Sequence, residues 1–234
     1  MKSTVEQIRA RFDHDVERFA NLSTGQSATM DAPLVLDLIT KAAAAVNPRA
    51  SHVLDIGCGA GNYTLKMLQM IPDLNVTLVD LSQQMLERAV QRITTGTSGK
   101  IVSFQADIRE IDLGEEQFDV ILAAAVFHHL RTDEEWEQVF AKCYAALKSG
   151  GSIWISDLIE HSSKEIQSLM WTRYGDYLTQ LKDEEYREAV FSYIEQEDTP
   201  RPLLFQLDML RHVGFRSAEV LHKNGCFAAF GAIK

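Results

Sequence analysis

The stretch Val53-Leu54-Asp55-Ile56-Gly57-Cys58-Gly59-Ala60-Gly61-Asn62-Tyr63 constrains this chain more than any other. Val53, Leu54 and Ile56 make an apolar run of buried-strand length, and the glycines that follow let the backbone turn tightly and approach a ligand. Past Asn62, Leu65, Met67, Leu68 and Ile71 fall on one side of a helix. Strand, glycine loop and helix form a general nucleotide-site device, so the detail decides the ligand. The dinucleotide fingerprint needs a third glycine where Asn62 stands, whereas here the glycines are Gly57, Gly59 and Gly61. Asp55, at the strand end, would repel a pyrophosphate and hold a ligand that carries a cation.

S-adenosylmethionine meets that description, with an ammonium, a sulfonium and no phosphate. The run from Asp55 to Gly61 resembles the first motif of the class I S-adenosylmethionine-dependent methyltransferases. The resemblance continues in order. Val76-Thr77-Leu78-Val79-Asp80 gives a second strand ending in an acid that can accept the ribose hydroxyls. Phe104-Gln105-Ala106-Asp107-Ile108 resembles the third motif and Phe118-Asp119-Val120-Ile121-Leu122 the fourth. The resemblance implies that Asp55 with the backbone at Gly57 and Gly59 holds the methionine part and Asp80 the ribose. Asp107 and Ile108 meet the adenine, Leu81 packs on its face, and the Ala123 carbonyl meets the donor's amino group. S-adenosyl-L-homocysteine is the implied product.

A chain of 234 residues can bury one sizeable core and reads as a single domain over 1–234. With 46% hydrophobic and 24% charged residues, no apolar run near spanning length and no apolar signal segment after Met1, the expectation is a cytoplasmic protein off the membrane. Cys58, Cys143 and Cys226 are odd in number and far apart, so neither disulfides nor a zinc site are expected. A net charge of -10 argues against a nucleic-acid partner, as does Ala123-Ala124-Ala125-Val126 where amino-group methylases of nucleic acid carry a proline-aromatic motif.

The order of elements predicts an α/β fold: a Rossmann-like, doubly wound, mostly parallel seven-stranded sheet. Strands are expected near 52–56, 75–79, 101–105, 118–123 and 151–156, alternating with helices except between the third and fourth, and an antiparallel C-terminal strand follows from the Lys223-Asn224-Gly225 hairpin signal. Ser82 reads as an N-cap, Asp31 as the cap of a helix over Pro33–Val46, and Lys148-Ser149-Gly150-Gly151 as the close of a helix over 133–147. Residues 4 to about 20 place Val5, Ile8, Phe12, Val16 and Phe19 on one helical stripe. Within residues 1–46 the resemblance implies a helical lid, with Phe12-Asp13 as its motif and the polar stretch Asn21–Ser27 as its bend. Residues 163–196, after the fifth strand, form a helical insertion that in this family supplies acceptor walls; Trp171, Arg173 and Tyr174 are the candidate substrate residues.

Ligands in such sheets sit beyond the carboxyl ends of the strands, which lets Asp55, Asp80, Asp107, Ala123 and Asp157 converge. Phe127-His128-His129-Leu130 stands on the lip of that cleft, so His128 and His129 are the candidate catalytic bases. Asp157 and His161 would join His128 as a metal set only on a helix, and no metal is expected. The leading expectation is methyl transfer to a small molecule, uncharged or weakly anionic. The layout is also similar to carboxy-S-adenosylmethionine synthases of tRNA wobble-uridine modification, which hold a carboxylate with an arginine on the last helix. Here Met209 falls near that place and Arg211 off its register. A non-catalytic donor-binding protein is the third alternative; the acceptor and the oligomeric state, a homodimer included, stay open.

Overall fold

The computed structural model describes residues 2–21 and 26–234. Seven strands form one sheet: β1 (His52–Ile56), β2 (Asn75–Asp80), β3 (Ile101–Gln105), β4 (Phe118–Ala124), β5 (Leu147–Leu158), β6 (Ser217–Asn224) and β7 (Phe227–Ile233). Their order is β3-β2-β1-β4-β5-β7-β6. β1 to β5 pair in parallel, and β7 runs antiparallel between β5 and β6. This is the doubly wound sheet expected, and its strand order reverses between β1 and β4, which opens the ligand crevice at their carboxyl ends.

The period of two along each strand divides the core. Leu54, Ile56, Ile121 and Ala123 face one side with Trp136, Phe140 and Leu210, from helices α6 (Asp133–Ala146) and α9 (Leu203–His212). Val53, Val120 and Leu122 face the other side, against Ile39, Met67 and Leu86 of α3 (Ala32–Val46), α4 (Asn62–Leu68) and α5 (Gln83–Ile93). Both faces of the central strands are therefore covered, which fits their apolar runs. A third cluster, with Tyr174, Leu178, Val190 and Ile194, joins the insertion helices α7 (Lys164–Leu181) and α8 (Glu184–Glu197) to Leu158 and Cys226.

Several local expectations change. The N-terminal helix breaks at Asp15 into α1 (Val5–His14) and α2 (Val16–Ala20); Thr4 and Gln7 form a capping box at its start. Of the expected lid bend, residues 22–25 lie outside the described residues. Asp31 precedes α3 but makes no cap bond, because its backbone is left-handed (φ 59°) and its carboxylate accepts hydrogen bonds from His222 and Asn224, each at 2.8 Å. Lys148–Gly151 do not close a helix: α6 ends at Ala146, and these residues form an irregularity in β5, with Gly150 at φ 77°. α4 ends at Leu68, short of the expected Ile71. Ser82 does cap α5, accepting from the Met85 amide. No described helix is long and apolar enough to cross a membrane.

Candidate active site

A cavity of about 420 Å³ lies at the carboxyl ends of the central strands, beneath α1, α2 and α8. Its floor is the glycine loop. Gly57 sits at φ 60°, and a Cβ there would stand 2.3 Å from Val126 Cγ2, so only glycine fits both the turn and the neighbour. The loop is tied to β2 by the Gly57 and Cys58 amides, which donate to the Val79 carbonyl at 2.7 and 3.2 Å.

Two carboxylates face this floor without a basic partner among the described residues. Asp55 is 2% exposed, accepts from Thr64 Oγ1 at 2.6 Å, and burial pushes its carboxyl up to about 7. Asp80 accepts from the Gly59 amide at 2.8 Å and the Ser82 amide at 2.9 Å; burial still raises it to about 6. A ligand that brings a cation and hydroxyl donors would compensate both, so the residues present fit S-adenosylmethionine. Leu81, Asp107 and Ile108 also line the cavity. Asp107 differs from the other two acids. Burial opposes its ionisation, but Arg109 outweighs it through its Nε and Nη2, at 3.0 and 2.6 Å, and its amide at 2.9 Å, so the carboxyl lies low. Ala123 does not line the cavity, because it is buried in β4 between Ile56 and Ile155; Ala124 and Ala125, one and two places on, do.

His128 and His129 form a single 3-10 turn at the opposite wall, their rings 4.3 Å apart. His128 Nδ1 donates to Asp157 Oδ1, while Asp157 Oδ2 accepts from the Phe127 and His128 amides at 2.9 and 3.2 Å. Burial alone would lower His128, but Asp157 and then Asp198 prevail and hold it up at about 9. His129 is pushed down, first by burial and then by His128. Asp198 follows α8 and is 4% exposed; its Oδ1 lies 3.2 Å from His129 Nδ1 and 3.6 Å from His128 Nε2. Neither approach has hydrogen-bond geometry. His161 stays apart from Asp157 because β5 is a strand there; it bonds Gln167 and Lys223 instead.

Trp171, Arg173 and Tyr174 are not brought to the cavity. Trp171 stacks on Phe191 at 4.9 Å, Tyr174 is buried and donates to the Ala28 carbonyl at 3.0 Å, and Arg173 reaches the β6–β7 hairpin at Asn224, 3.4 Å away. The aromatic stripe of α7 is used to pack α8, and the cavity wall comes one helix later, from Tyr186, Val190 and Tyr193. The sequence reading also missed how α1 and α2 attach. Asn62 Nδ2 donates to the Phe19 carbonyl at 2.9 Å, and Ser82 Oγ donates to Asp13, next to the Phe12 that lines the cavity. Asp13 was the one legible signal for this attachment. Asp198 and Arg11, which pairs with Glu197, carried none.

Residues 53–151 match the family described as Methyltransferase domain. The chain is 25% identical over 187 residues to a carboxy-S-adenosyl-L-methionine synthase of Nautilia profundicola, covering 78% of this chain and 76% of that protein. It is 27% identical over 157 residues to a malonyl-[acyl-carrier protein] O-methyltransferase of a Paenibacillus species, covering 65% of this chain but only 55% of the relative. In fold it is similar to the Burkholderia thailandensis 1,6-didemethyltoxoflavin-N1-methyltransferase solved with its substrate and S-adenosylhomocysteine. The TM-score is 0.63 at 18% identity, over 100% of this chain and 92% of that one. Over residues 53–151 the chain thus matches a methyltransferase domain, and its relatives and its fold are similar to those of S-adenosylmethionine-dependent methyltransferases.

Proposed function

We propose that the protein methylates a small molecule enclosed between the glycine loop and the His128–His129 turn. The observation that carries this reading is the single cavity in which Asp55 and Asp80, both buried and without a basic partner among the described residues, face the donor end while histidines and aromatic side chains wall the other. Asp55 and the loop backbone hold the donor's amino-acid part, Asp80 the ribose, and Asp107, Ile108 and Leu81 the adenine. Bound S-adenosylmethionine supplies an activated methyl group on a sulfonium that leaves as a neutral thioether. The chain's own contribution is to align the acceptor within attack distance and exclude water, which supplies much of the acceleration. Tyr186, Val190 and Tyr193 shape the acceptor end, with Phe12 set edge-on to His129 at 6.2 Å, and the two histidines deal with the acceptor's proton. Residues 1–46 act as the lid and 163–196 as the specificity insertion of one domain.

The synthase relatives favour a second reading, a carboxylated donor. Against it, Arg211 is exposed and paired with Asp208 at 2.8 Å, and no residue of α9 lines the cavity. Of the arginines that line it, Arg11, Arg18 and Arg109 are paired with Glu197, with Asp15, and with Asp107 and Glu135, while Arg131 donates to Thr199 Oγ1 at 2.9 Å. Mass measurement of nucleosides released from purified protein, with calorimetry against S-adenosylmethionine and S-adenosylhomocysteine, tests the assignment. Micromolar binding of either, about -8 kcal/mol, supports it; a carboxylated species selects the second reading. Failure to bind either nucleoside overturns both.

A further inference from the structure

Three side chains at the acceptor wall, His128, His129 and Asp198, stand close together, and the hydrogen bond of His129 Nδ1 to the Glu197 carbonyl is long at 3.4 Å. Among the described residues Asp198 Oδ1 is buried without a hydrogen-bond partner, yet it lies 3.2 Å from one imidazole nitrogen and 3.6 Å from another. One ring nitrogen of His128, one of His129 and a carboxylate oxygen of Asp198 all stand within 4.8 Å of one another. Ligands about 2.0–2.1 Å from a tetrahedral metal ion stand roughly 3.3 Å apart, and the two spacings to Asp198 bracket that value.

The surroundings of His128 have the form of a ligand support. Its Nδ1 is taken by Asp157, so Nε2 is the nitrogen turned to the cluster, and Asp157 is itself fixed by the Phe127, His128 and Leu158 amides. A carboxylate behind a histidine in this manner sets the tautomer and ring direction that a metal ion requires. Asp198 is anchored on its main chain, where the carbonyl accepts from Lys2 Nζ, and the next amide, Thr199, donates to the His128 carbonyl at 2.6 Å. Both histidines line the cavity while Asp198 lies behind them, so an ion here would keep open positions toward the acceptor.

We propose that His128, His129 and Asp198 bind one first-row divalent cation in the wall of the acceptor pocket. Two imidazole nitrogens and one carboxylate oxygen suit zinc, iron(II), cobalt or manganese, and disfavour magnesium and calcium, which take oxygen. Cation binding stands independently of the methyl-transfer reading; what the cation does rests on it. With the cation bound, the two imidazoles would serve as its ligands instead of taking the acceptor's proton: an acceptor hydroxyl would lose its proton to solvent as it enters the open position, and the oxygen pair would then form the bond to the methyl carbon as the sulfur–carbon pair returns to the thioether sulfur.

The test uses the full chain, stripped with a chelator and titrated with zinc against a chromophoric competitor, then with cobalt(II) for its visible absorption. One ion per chain is expected, with at least a hundredfold weaker binding in His129→Gln and Asp198→Asn and a tenfold to hundredfold loss in Asp157→Asn. His212→Gln, outside the cluster, should bind as the natural chain does. Each sample is also titrated with S-adenosylhomocysteine, so that a failed metal site and a failed donor site read separately. If the substituted chains do not fold, the imidazole nitrogen shifts of His128 and His129 on adding zinc to the natural chain decide the point. Absence of saturable binding, binding unchanged in the folded variants, or unmoved imidazole shifts would overturn the proposal.

Discussion

Burial raises the Asp55 carboxyl to about 7 and that of Asp80 to about 6 in the ligand-free protein, which makes donor affinity depend on pH. A donor carrying an ammonium and a sulfonium stabilises the ionised carboxylates, so the bound state lowers both values and binding releases protons. Between pH 5.5 and 7.5 the ionised fraction of a group at 7 rises about 25-fold and that of a group at 6 about 4-fold. Affinity for S-adenosylmethionine should therefore strengthen by up to about 100-fold, or about 2.7 kcal/mol, before falling again above about pH 8 as the donor's own ammonium titrates. Calorimetry in two buffers of different ionisation enthalpy should count about one proton released at pH 6.5. Asp55→Asn should remove the larger step and leave the smaller. Affinity that is flat across this range, or a step of the same size in Asp55→Asn, refutes the placement of the donor's charge against Asp55. The ligand-free fold carries the opposite dependence: both carboxyls titrate higher folded than unfolded, so its stability falls as pH rises from about 4 toward 7.

Gly57→Ala forces a Cβ to within 2.3 Å of Val126 at positive φ; it should cost about 2–4 kcal/mol in thermal unfolding and abolish measurable donor binding. Asp80→Ala should lower both the free energy of S-adenosylhomocysteine binding and the free energy of unfolding, by about 1–3 kcal/mol each, because it leaves the Gly59 and Ser82 amides unpaired as well as removing the proposed ribose acceptor. Tyr193→Ala should raise KM for the acceptor once one is found. Trp171→Ala, which breaks the stack on Phe191 away from the cavity, should cost about 2 kcal/mol of stability and leave KM unchanged.

The acids and glycines of the proposed donor half, Ala123 apart, could be brought to one cavity from the sequence because each of these parts is local. Asp55 and Asp80 are the acids at or next to the ends of two strands, and the glycines stand in the turn between β1 and α4, so spacing alone places them. The acceptor half is assembled by packing between distant segments. α7 and α8 both carry aromatic stripes, and which one faces the cavity depends on how the pair docks against Phe227 and Leu158, which periodicity does not encode. Asp198 meets histidines some 70 positions earlier, a meeting that no local pattern announces. Asp31 shows the converse error: a correct capping position whose side chain finds better partners in β6.

Ser82 shows how the local half and the assembled half are joined. Its amide donates to Asp80, its hydroxyl accepts from the Met85 amide to start α5, and the same hydroxyl donates to Asp13 of α1. The carboxylate proposed to meet the ribose and the helix that covers the cavity are thus one residue apart through hydrogen bonds. Asn62 makes a second such link, from the first turn of α4 to the Phe19 carbonyl. A change that releases α1 and α2 from Ser82 and Asn62 would uncover the cavity without touching any residue assigned to the donor. Substitutions in the N-terminal helices should then act on water exclusion and acceptor retention, while those in the glycine loop act on the donor. These two sets of effects are separable in kinetics although the residues touch in space.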